Sequence, residues 1–309
     1  MLSGYSRAGI LALAFMAAPA ALAPVALAQA SPRDAMLVTA DWLKAHAPDP
    51  DLVVLHAGDK KDYDAGHIEG ARYMPMGGLS LPEAIGLQLE MLPAEELHNQ
   101  IAELGISNTS RVVVYFTRGM IPDATRLIFT LEAAGLGDRV SLLDGGLPEW
   151  QRLAYPLTTA TPKVVPAKLA PLKMKARVVD ATFVQEHLKA PGYRIIDARA
   201  SIFYDGVQAG GGGNDKHLTG HIPGAGSVPF TSITGADLKL KPASELEAAF
   251  KAAGVAKGDK LLVYCHVGWQ GTAVVFAARS LGYDASLYDG SFQDWSHRKL
   301  PVEAVSAKQ

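Results

Sequence analysis

Two segments of this chain repeat the same sequence pattern, and any fold proposed for it has to accommodate that repeat. The segment VVYFTRGMIPDATRLIFTLEAAGLGDRVSLLDGGLPEW covers 113–150, and LVYCHVGWQGTAVVFAARSLGYDASLYDGSFQDW covers 262–295. In both, a Trp follows an Asp by six residues, and a Gly precedes that Asp by seven. Further upstream, GHIEGA at 66–71 is matched by GHIPGA at 220–225. This agreement at fixed spacings indicates an internal duplication, so both halves should share one fold.

Each copy alternates short runs rich in β-branched residues with amphipathic runs of helical period. The predicted strands are 51–58, 111–116 and 139–144 in the first copy, and 193–199, 260–265 and 285–290 in the second. Residues 122–135 and 271–282 predict helices that end at glycine. Strand–helix–strand alternation makes neighbouring strands parallel and places helices on the sheet. The predicted fold class is therefore α/β, with two tandem domains, each a mostly parallel sheet flanked by helices.

The domain boundary is predicted at the segment PLTTATPKVVPAKLAPLKMKA, residues 156–176, which contains four prolines. Proline at this density favours extended, semi-rigid chain over helix or central strand. We therefore place the N-terminal domain at 36–155, the linker at 156–175 and the C-terminal domain at 176–303. The glycine run in QAGGGGNDKH, at 208–217, predicts a mobile surface loop.

The first residues of the chain have the features of a signal peptide. Segment 1–28 carries one basic side chain, Arg7, followed by a long stretch rich in Ala and Leu. ALAQA offers cleavage sites after Ala28 or Ala30. No later apolar run approaches the roughly 18 residues that span a bilayer. We expect an exported, soluble protein, periplasmic or secreted, with no membrane partner after cleavage; an uncleaved N-terminal anchor is the alternative.

Charge and cysteine content narrow the function classes. With 29 Lys and Arg against 31 Asp and Glu, the formal net charge is −2, and no basic stripe is present. Nucleic acid is therefore not expected as a partner. Cys265 is the only cysteine, which excludes an intramolecular disulfide. An unpaired thiol invites oxidation in an oxidising compartment, so Cys265 is either buried and inert or kept for its reactivity.

Cys265 closes the predicted strand 260–265, and the next helix begins a few residues later. Ligands of open α/β sheets usually bind at this end of the strands. If the intervening loop wraps around the sulfur, its backbone N–H groups form an anion-binding nest, which would lower the cysteine pKa. Gly268 and Gly271 would permit the required backbone angles. The alternative is that Cys265 is a small core side chain, as free cysteines often are.

GHIPGA, the cysteine loop after LLVY, and YDGS with its following Trp resemble the tandem-domain rhodaneses, the thiosulfate sulfurtransferases. The resemblance covers roughly 36–303. It implies a catalytic C-terminal domain and a degenerate N-terminal copy, with Phe116 in the position of the lost nucleophile. It also implies ping-pong transfer without a cofactor. Cys265 would take sulfane sulfur from a small anionic donor such as thiosulfate and pass the persulfide sulfur to cyanide, a thiol or a protein.

The resemblance also assigns the remaining candidate site residues. Arg199, in the DAR motif at 197–199, would bind the anionic donor; a structural ion pair with Asp197 or Asp289 is the alternative. Ser291, in YDGS, would lie near the cysteine loop. The loop itself would supply the amides and side chains of the donor site, at His266, Val267, Gly268, Trp269 and Gln270.

The loop CHVGWQ differs from the patterns that would fix the donor. Mercaptopyruvate sulfurtransferases typically show C-G-S-G-V-T, and thiosulfate-specific enzymes have basic residues after the cysteine. The loop therefore leaves the donor open, with 3-mercaptopyruvate as the less favoured one. His266 could add positive charge only below its usual pKa of about 6.5. A sulfur carrier or redox-binding module that does not turn over is the alternative function.

Two other site types are disfavoured by the residues in these motifs. A Cys-x5-Arg phosphatase loop is disfavoured because Gly271, not arginine, lies six residues after the cysteine. A metal site at HLTGH, 217–221, is disfavoured because Gly220 and Pro223 interrupt any helix there. His221 and His67 both lie in a Gly-His-Ile turn, which favours a structural role in both copies. No metal is therefore predicted.

Overall fold

The computed structural model describes residues 1, 4, 31–75, 77–82, 87–213 and 215–305. Apart from residues 1 and 4, the predicted signal peptide 1–28 lies outside them. Within the described ranges, no helix combines the length and the apolar character needed to cross a bilayer.

The first copy forms a five-stranded parallel sheet in the order β1-β5-β4-β2-β3. Along β2 and β4, alternate side chains enter two different apolar clusters, one on each face of the sheet. Burial on both faces explains why these strands read as continuous apolar runs. Its elements are α1 (Pro32–Met36), β1 (Leu37–Val38), α2 (Ala40–His46), β2 (Leu52–Ala57), α3 (Lys60–Ala65), β3 (Arg72–Met74), α4 (Ala94–Glu103), β4 (Arg111–Phe116), α5 (Ile121–Ala133), β5 (Val140–Leu143) and α6 (Gly146–Arg152).

The second copy repeats this arrangement, with a parallel sheet in the order β10-β7-β11-β12-β6. Each of its strands has a counterpart at the same place in the first sheet. The predicted α/β class and the tandem duplication are thus confirmed. Its elements are β6 (Val178–Val179), α7 (Ala181–His187), β7 (Tyr193–Asp197), α8 (Ser201–Tyr204), β8 (Gly211–Gly212), β9 (Asp215–Lys216), β10 (Gly226–Ser227), α9 (Ala243–Ala252), β11 (Lys260–Tyr264), α10 (Gln270–Ser280), β12 (Asp284–Tyr288) and α11 (Ser291–His297).

The glycine-rich segment 208–217, predicted to be a mobile surface loop, contains a short hairpin. β8 and β9 pair antiparallel within it, and His217 N–H donates to the Gly210 carbonyl at 3.1 Å. Asp215 anchors this hairpin to α11 through Gln293 and His297. Glycine therefore serves here to fold a tight hairpin against the second domain.

The two domains meet through α5 and α10, the helices that follow the equivalent strands β4 and β11. Side chains of both helices, including Phe129 and Phe276, belong to one apolar cluster. Thr125 and Thr272 share a hydrogen bond of 3.0 Å across the contact. The first domain is therefore packed directly against the helix that begins after the Cys265 loop.

The proline-rich stretch between the domains contains no helix and follows the surface of the first domain. His67 and Thr158 form an isolated bridge. Farther along, Ala167 N–H donates to the Ala102 carbonyl at 2.9 Å. The extended form agrees with the spacing of its prolines, which cannot donate backbone hydrogen bonds.

Candidate active site

Cys265 lies immediately after β11, at the carboxyl end of the second sheet. Its side chain is enclosed by the loop that leads into α10, and the residue is only 1% exposed. Backbone amides of Gly271, Val267 and Gly268 lie close enough to the thiol group to favour its ionised form. The predicted ring of main-chain donors therefore surrounds this sulfur, with the first turn of α10 supplying Gly271.

The predicted lowering of the Cys265 pKa is not what the structure gives. Burial raises the pKa of the Cys265 thiol, and the amides of the loop and the Ser291 hydroxyl oppose that rise only in part. Burial penalises the thiolate because a charge loses its hydration. The resting side chain is therefore a protonated thiol at neutral pH, and the loop stabilises the anion that forms during reaction.

Ser291 holds the loop rather than facing a substrate. Its hydroxyl accepts hydrogen bonds from the amides of Cys265, at 3.1 Å, and Gly268, at 3.0 Å. It donates to the Tyr288 carbonyl at 2.8 Å, and the residue is fully buried. The assignment of Ser291 to substrate binding is thus corrected to loop positioning.

Gly268 allows the loop to pack closely against Asp289. Its φ is +75°, and an added Cβ would come within 2.5 Å of the Asp289 carbonyl oxygen. Only glycine fits this close approach. Among the described residues, Gly268 is absent from the walls of the cavity next to Cys265.

A cavity of about 490 Å³ opens beside Cys265. The loop forms one wall, and the β8–β9 hairpin forms the other. Four of the predicted loop residues line it, with Gly268 as the exception. The described lining residues are Gln88, Gly211, Gly212, Asp215, His217, Cys265, His266, Val267, Trp269 and Gln270.

The two histidines of this cavity are uncharged at neutral pH. Burial lowers the pKa of His266 to about 3, so the expected gain of positive charge near pH 6.5 does not occur. Burial also lowers the pKa of His217, while the nearby Asp215 carboxylate opposes that change. No lysine or arginine is among the described residues that line the cavity. An anionic group there depends on backbone amides.

Arg199 adopts the structural alternative. The residue is 1% exposed, and its guanidinium binds the Asp197 carboxylate, with the shortest contact at 2.5 Å. It also donates to the Gly220 carbonyl at 2.7 Å and lies over the Phe292 ring. Nε and Nη2 of Arg199 are therefore committed to the protein interior, which favours the structural ion pair over donor binding.

The first domain keeps only part of this buried network. Tyr264 donates to Asp197 at 2.6 Å and accepts from the Ile222 amide. Tyr115 occupies the same place in the first copy, where it contacts His56 Nδ1 at 2.9 Å. The tyrosine and its bond to the turn amide recur in a copy without a cysteine and therefore serve the fold, whereas Gly58 stands in place of Arg199 there.

The first domain contributes two charged side chains to the Cys265 loop. Arg126, on α5, forms a buried ion pair with Asp289 and donates to the Gly268 carbonyl at 3.0 Å. Asp123 accepts a hydrogen bond of 3.1 Å from the Trp269 indole, and burial raises its pKa to about 6. Sequence reasoning missed both, although two charged residues three apart near the start of a largely apolar helix were a usable signal. Asp289 is therefore an interdomain partner of Arg126 rather than the partner of Arg199.

The corresponding end of the first sheet has no nucleophile. Phe116 is fully buried where Cys265 stands in the second copy. A smaller cavity of about 230 Å³ lies nearby, with Thr117 and Arg118 in its wall, and Arg118 is paired with Asp62. Because the chain's only thiol is in the second copy, thiol chemistry can occur only there.

His67 and His221 have matching structural contacts. Each ring stacks on a tyrosine, Tyr63 or Tyr204, and hydrogen-bonds the carbonyl of that same residue. Among the described residues, no group of three or more potential metal ligands is assembled.

Comparisons with known proteins agree on one family. The model of the rhodanese-like domain matches residues 39–153 and 180–298. The 3-mercaptopyruvate sulfurtransferase of Escherichia coli K12 is 32% identical, over 87% of this chain and 98% of that protein. The mitochondrial thiosulfate/3-mercaptopyruvate sulfurtransferase 1 of Arabidopsis thaliana is 28% identical, over 88% and 79%. A solved structure of the Escherichia coli 3-mercaptopyruvate sulfotransferase superimposes with a TM-score of 0.71 at 28% identity, over 82% of this chain and 98% of that chain.

Proposed function

The chain belongs to the rhodanese family of sulfurtransferases, and on this premise we propose that Cys265 carries sulfane sulfur as a persulfide. The donor is thiosulfate or a related small anion, and the acceptor is cyanide or a thiol. The observation that supports this role is the enclosure of Cys265 by the amides of Gly271, Val267 and Gly268. Main-chain donors fixed before reaction can stabilise the thiolate and the persulfide anion in turn.

In the first half-reaction, the Cys265 thiol gives its proton to solvent, and the thiolate attacks the outer sulfur of thiosulfate. The S–S bond of thiosulfate breaks, and its electron pair leaves with sulfite. In the second, the acceptor attacks the outer sulfur of the persulfide, and the electron pair returns to Cys265. Splitting the transfer into two displacements is the purpose of a covalent intermediate.

The donor is tested by intact-mass measurement of the whole protein. The protein is incubated in turn with thiosulfate, with 3-mercaptopyruvate and with an organic thiosulfonate. We expect a gain of one sulfur atom, lost again when cyanide or a thiol is added. A protein that loads once and never releases its sulfur to small acceptors would be a carrier, and a protein that never loads would contradict the proposal.

We also propose that the protein is exported, because segment 1–28 has the composition and the A-x-A sites of a signal peptide. Expression in a Gram-negative host should give a periplasmic form that begins after Ala28 or Ala30. The measurement is the intact mass of the protein from each cell fraction, which identifies its first residue. Recovery of the uncleaved chain in the cytoplasm would contradict export.

A further inference from the structure

Polar atoms without partners are concentrated around the Cys265 cavity. Across the described residues, eight buried side-chain nitrogen and oxygen atoms have no hydrogen-bond partner. Four belong to residues that line this cavity: both ring nitrogens of His217, Nδ1 of His266 and Oε1 of Gln270. Because buried polar atoms are almost always hydrogen-bonded, such a cluster indicates a place where a bound molecule supplies the partners.

His217 is the most enclosed of these groups. The residue is 4% exposed and follows β9 at the base of the glycine hairpin. Its Nε2 lies 3.7 Å from the Asp215 carboxylate, and its ring centre lies 5.7 Å from that of His266. A carboxylate beside an imidazole stabilises the protonated ring, as in acid–base pairs of hydrolases.

The hairpin fixes both members of this pair. Asp215 accepts hydrogen bonds from Gln293, at 2.7 Å, and lies 2.6 Å from His297 Nε2, so α11 holds its carboxylate. A Cβ added to Gly210 would overlap the His266 ring and would also come within 3.1 Å of His217 Nδ1. The close approach of hairpin and imidazole therefore depends on glycine at this point.

Of the two cavity histidines, His217 is the better base. Burial lowers the pKa of His266 to about 3, which leaves that ring a weak proton acceptor. Burial also lowers the pKa of His217, but Asp215 offsets part of the change. An efficient general base has a pKa near the working pH, and His217 meets that condition more nearly.

We propose that His217 is a catalytic base of the second half-reaction and takes the proton from a thiol acceptor bound in this cavity. The inference rests on the proposed persulfide of Cys265. A thiol supplies the S–H donor that an unpartnered imidazole nitrogen can accept. Sulfite carries no such proton once it is fully ionised, so the two acceptors separate the role of His217 from that of the cavity as a whole.

The step is balanced without any further reactant. As the acceptor sulfur attacks the outer sulfur of the Cys265 persulfide, its proton moves to a ring nitrogen of His217. The persulfide S–S bond breaks, its electron pair returns to Cys265, and a new S–S bond joins the outer sulfur to the acceptor. His217 then releases its proton to the product persulfide or to solvent. The step transfers only the outer sulfur and that proton.

The experiment loads Cys265 with sulfur and follows persulfide loss by rapid-quench intact mass. In His217→Gln, transfer to a small thiol should slow on the order of 100-fold. Transfer to sulfite, at a pH above the pKa of sulfite, should stay within about twofold of wild type, since no proton has to be removed. The matched control is His46→Gln, an exposed histidine of the first domain, which should change neither rate.

The pH profile supplies a second measurement. The charged or titratable groups that face His217 are Asp215, Arg199, His297 and His266. Because the pKa of His217 is lowered, the wild-type thiol rate should stay high at neutral pH and fall only as the medium becomes acidic. His217→Gln should lack that acidic limb.

Three outcomes decide the matter. Selective loss of the thiol reaction in His217→Gln supports the base. Equal slowing with thiol and sulfite means that His217 only shapes the cavity, and it overturns the inference. Normal loading and normal transfer to both acceptors also overturns it, whereas failure of the wild-type protein to load would instead contradict the proposed function.

Discussion

Replacing Cys265 with serine is expected to remove sulfur loading from thiosulfate down to background. Loss of an enzyme nucleophile costs on the order of 10⁴-fold or more in rate. A serine hydroxyl has too high a pKa to ionise here, even with the amides of Gly271, Val267 and Gly268 directed at it. The same amides can hydrogen-bond the new hydroxyl, so the fold should be retained. The measurement is intact mass after donor exposure, with the melting temperature followed in parallel.

The duplication offers a matched control at the equivalent position. Phe116 ends β4 as Cys265 follows β11, and its side chain is fully buried. Phe116→Leu should lower the melting temperature while leaving the rate of sulfur loading at Cys265 close to wild type. A Cys265→Ser protein that still gains sulfur would remove the nucleophile from the proposed mechanism, since the chain has no second thiol.

The strands and helices could be predicted from the sequence because each depends on a local pattern that occurs in both copies. The apolar runs that became β4 and β11, and the amphipathic runs that became α5 and α10, lie within a residue or two of their predicted limits. Duplication strengthened each assignment, because a pattern found at one place had to hold at its counterpart. The position of Cys265 after β11 follows from the same reasoning.

The features that could not be predicted from the sequence depend on contacts between residues far apart in the chain. The pairing of Arg126 with Asp289 joins residues 163 apart in sequence, and no local pattern encodes such a partner. His217 reaches the cavity only because the glycine segment folds into a hairpin, which its composition did not reveal. The direction of the Cys265 pKa depends on burial, which a sequence gives no means of weighing against the loop amides.

Arg126 of the first domain is expected to stabilise the cysteine loop of the second domain. This side chain is 1% exposed, pairs with Asp289 and donates to the carbonyls of Gly268 and Leu89. Removing one partner of a buried ion pair typically costs about 3–5 kcal/mol, because the other charge stays buried without compensation. We therefore expect Arg126→Met to lower the free energy of unfolding by that order.

The rate of sulfur loading should also fall in Arg126→Met, at temperatures where this variant is still folded. Without its donor, the Gly268 carbonyl is no longer held, and the loop backbone that directs its amides at Cys265 can shift. Displacing a catalytic group by about 1 Å can reduce a rate on the order of 100-fold.

The control that separates positioning from stability is Arg279→Met. Arg279 pairs with Glu132 across the same α5–α10 contact but lies at the far end of α10 from the cysteine loop. It should therefore lower the melting temperature while keeping the loading rate near wild type. If Arg126→Met loads sulfur as fast as Arg279→Met, the first domain stabilises the second without holding its loop. If only Arg126→Met is slow, the copy that lacks a thiol still shapes the site of the copy that has one.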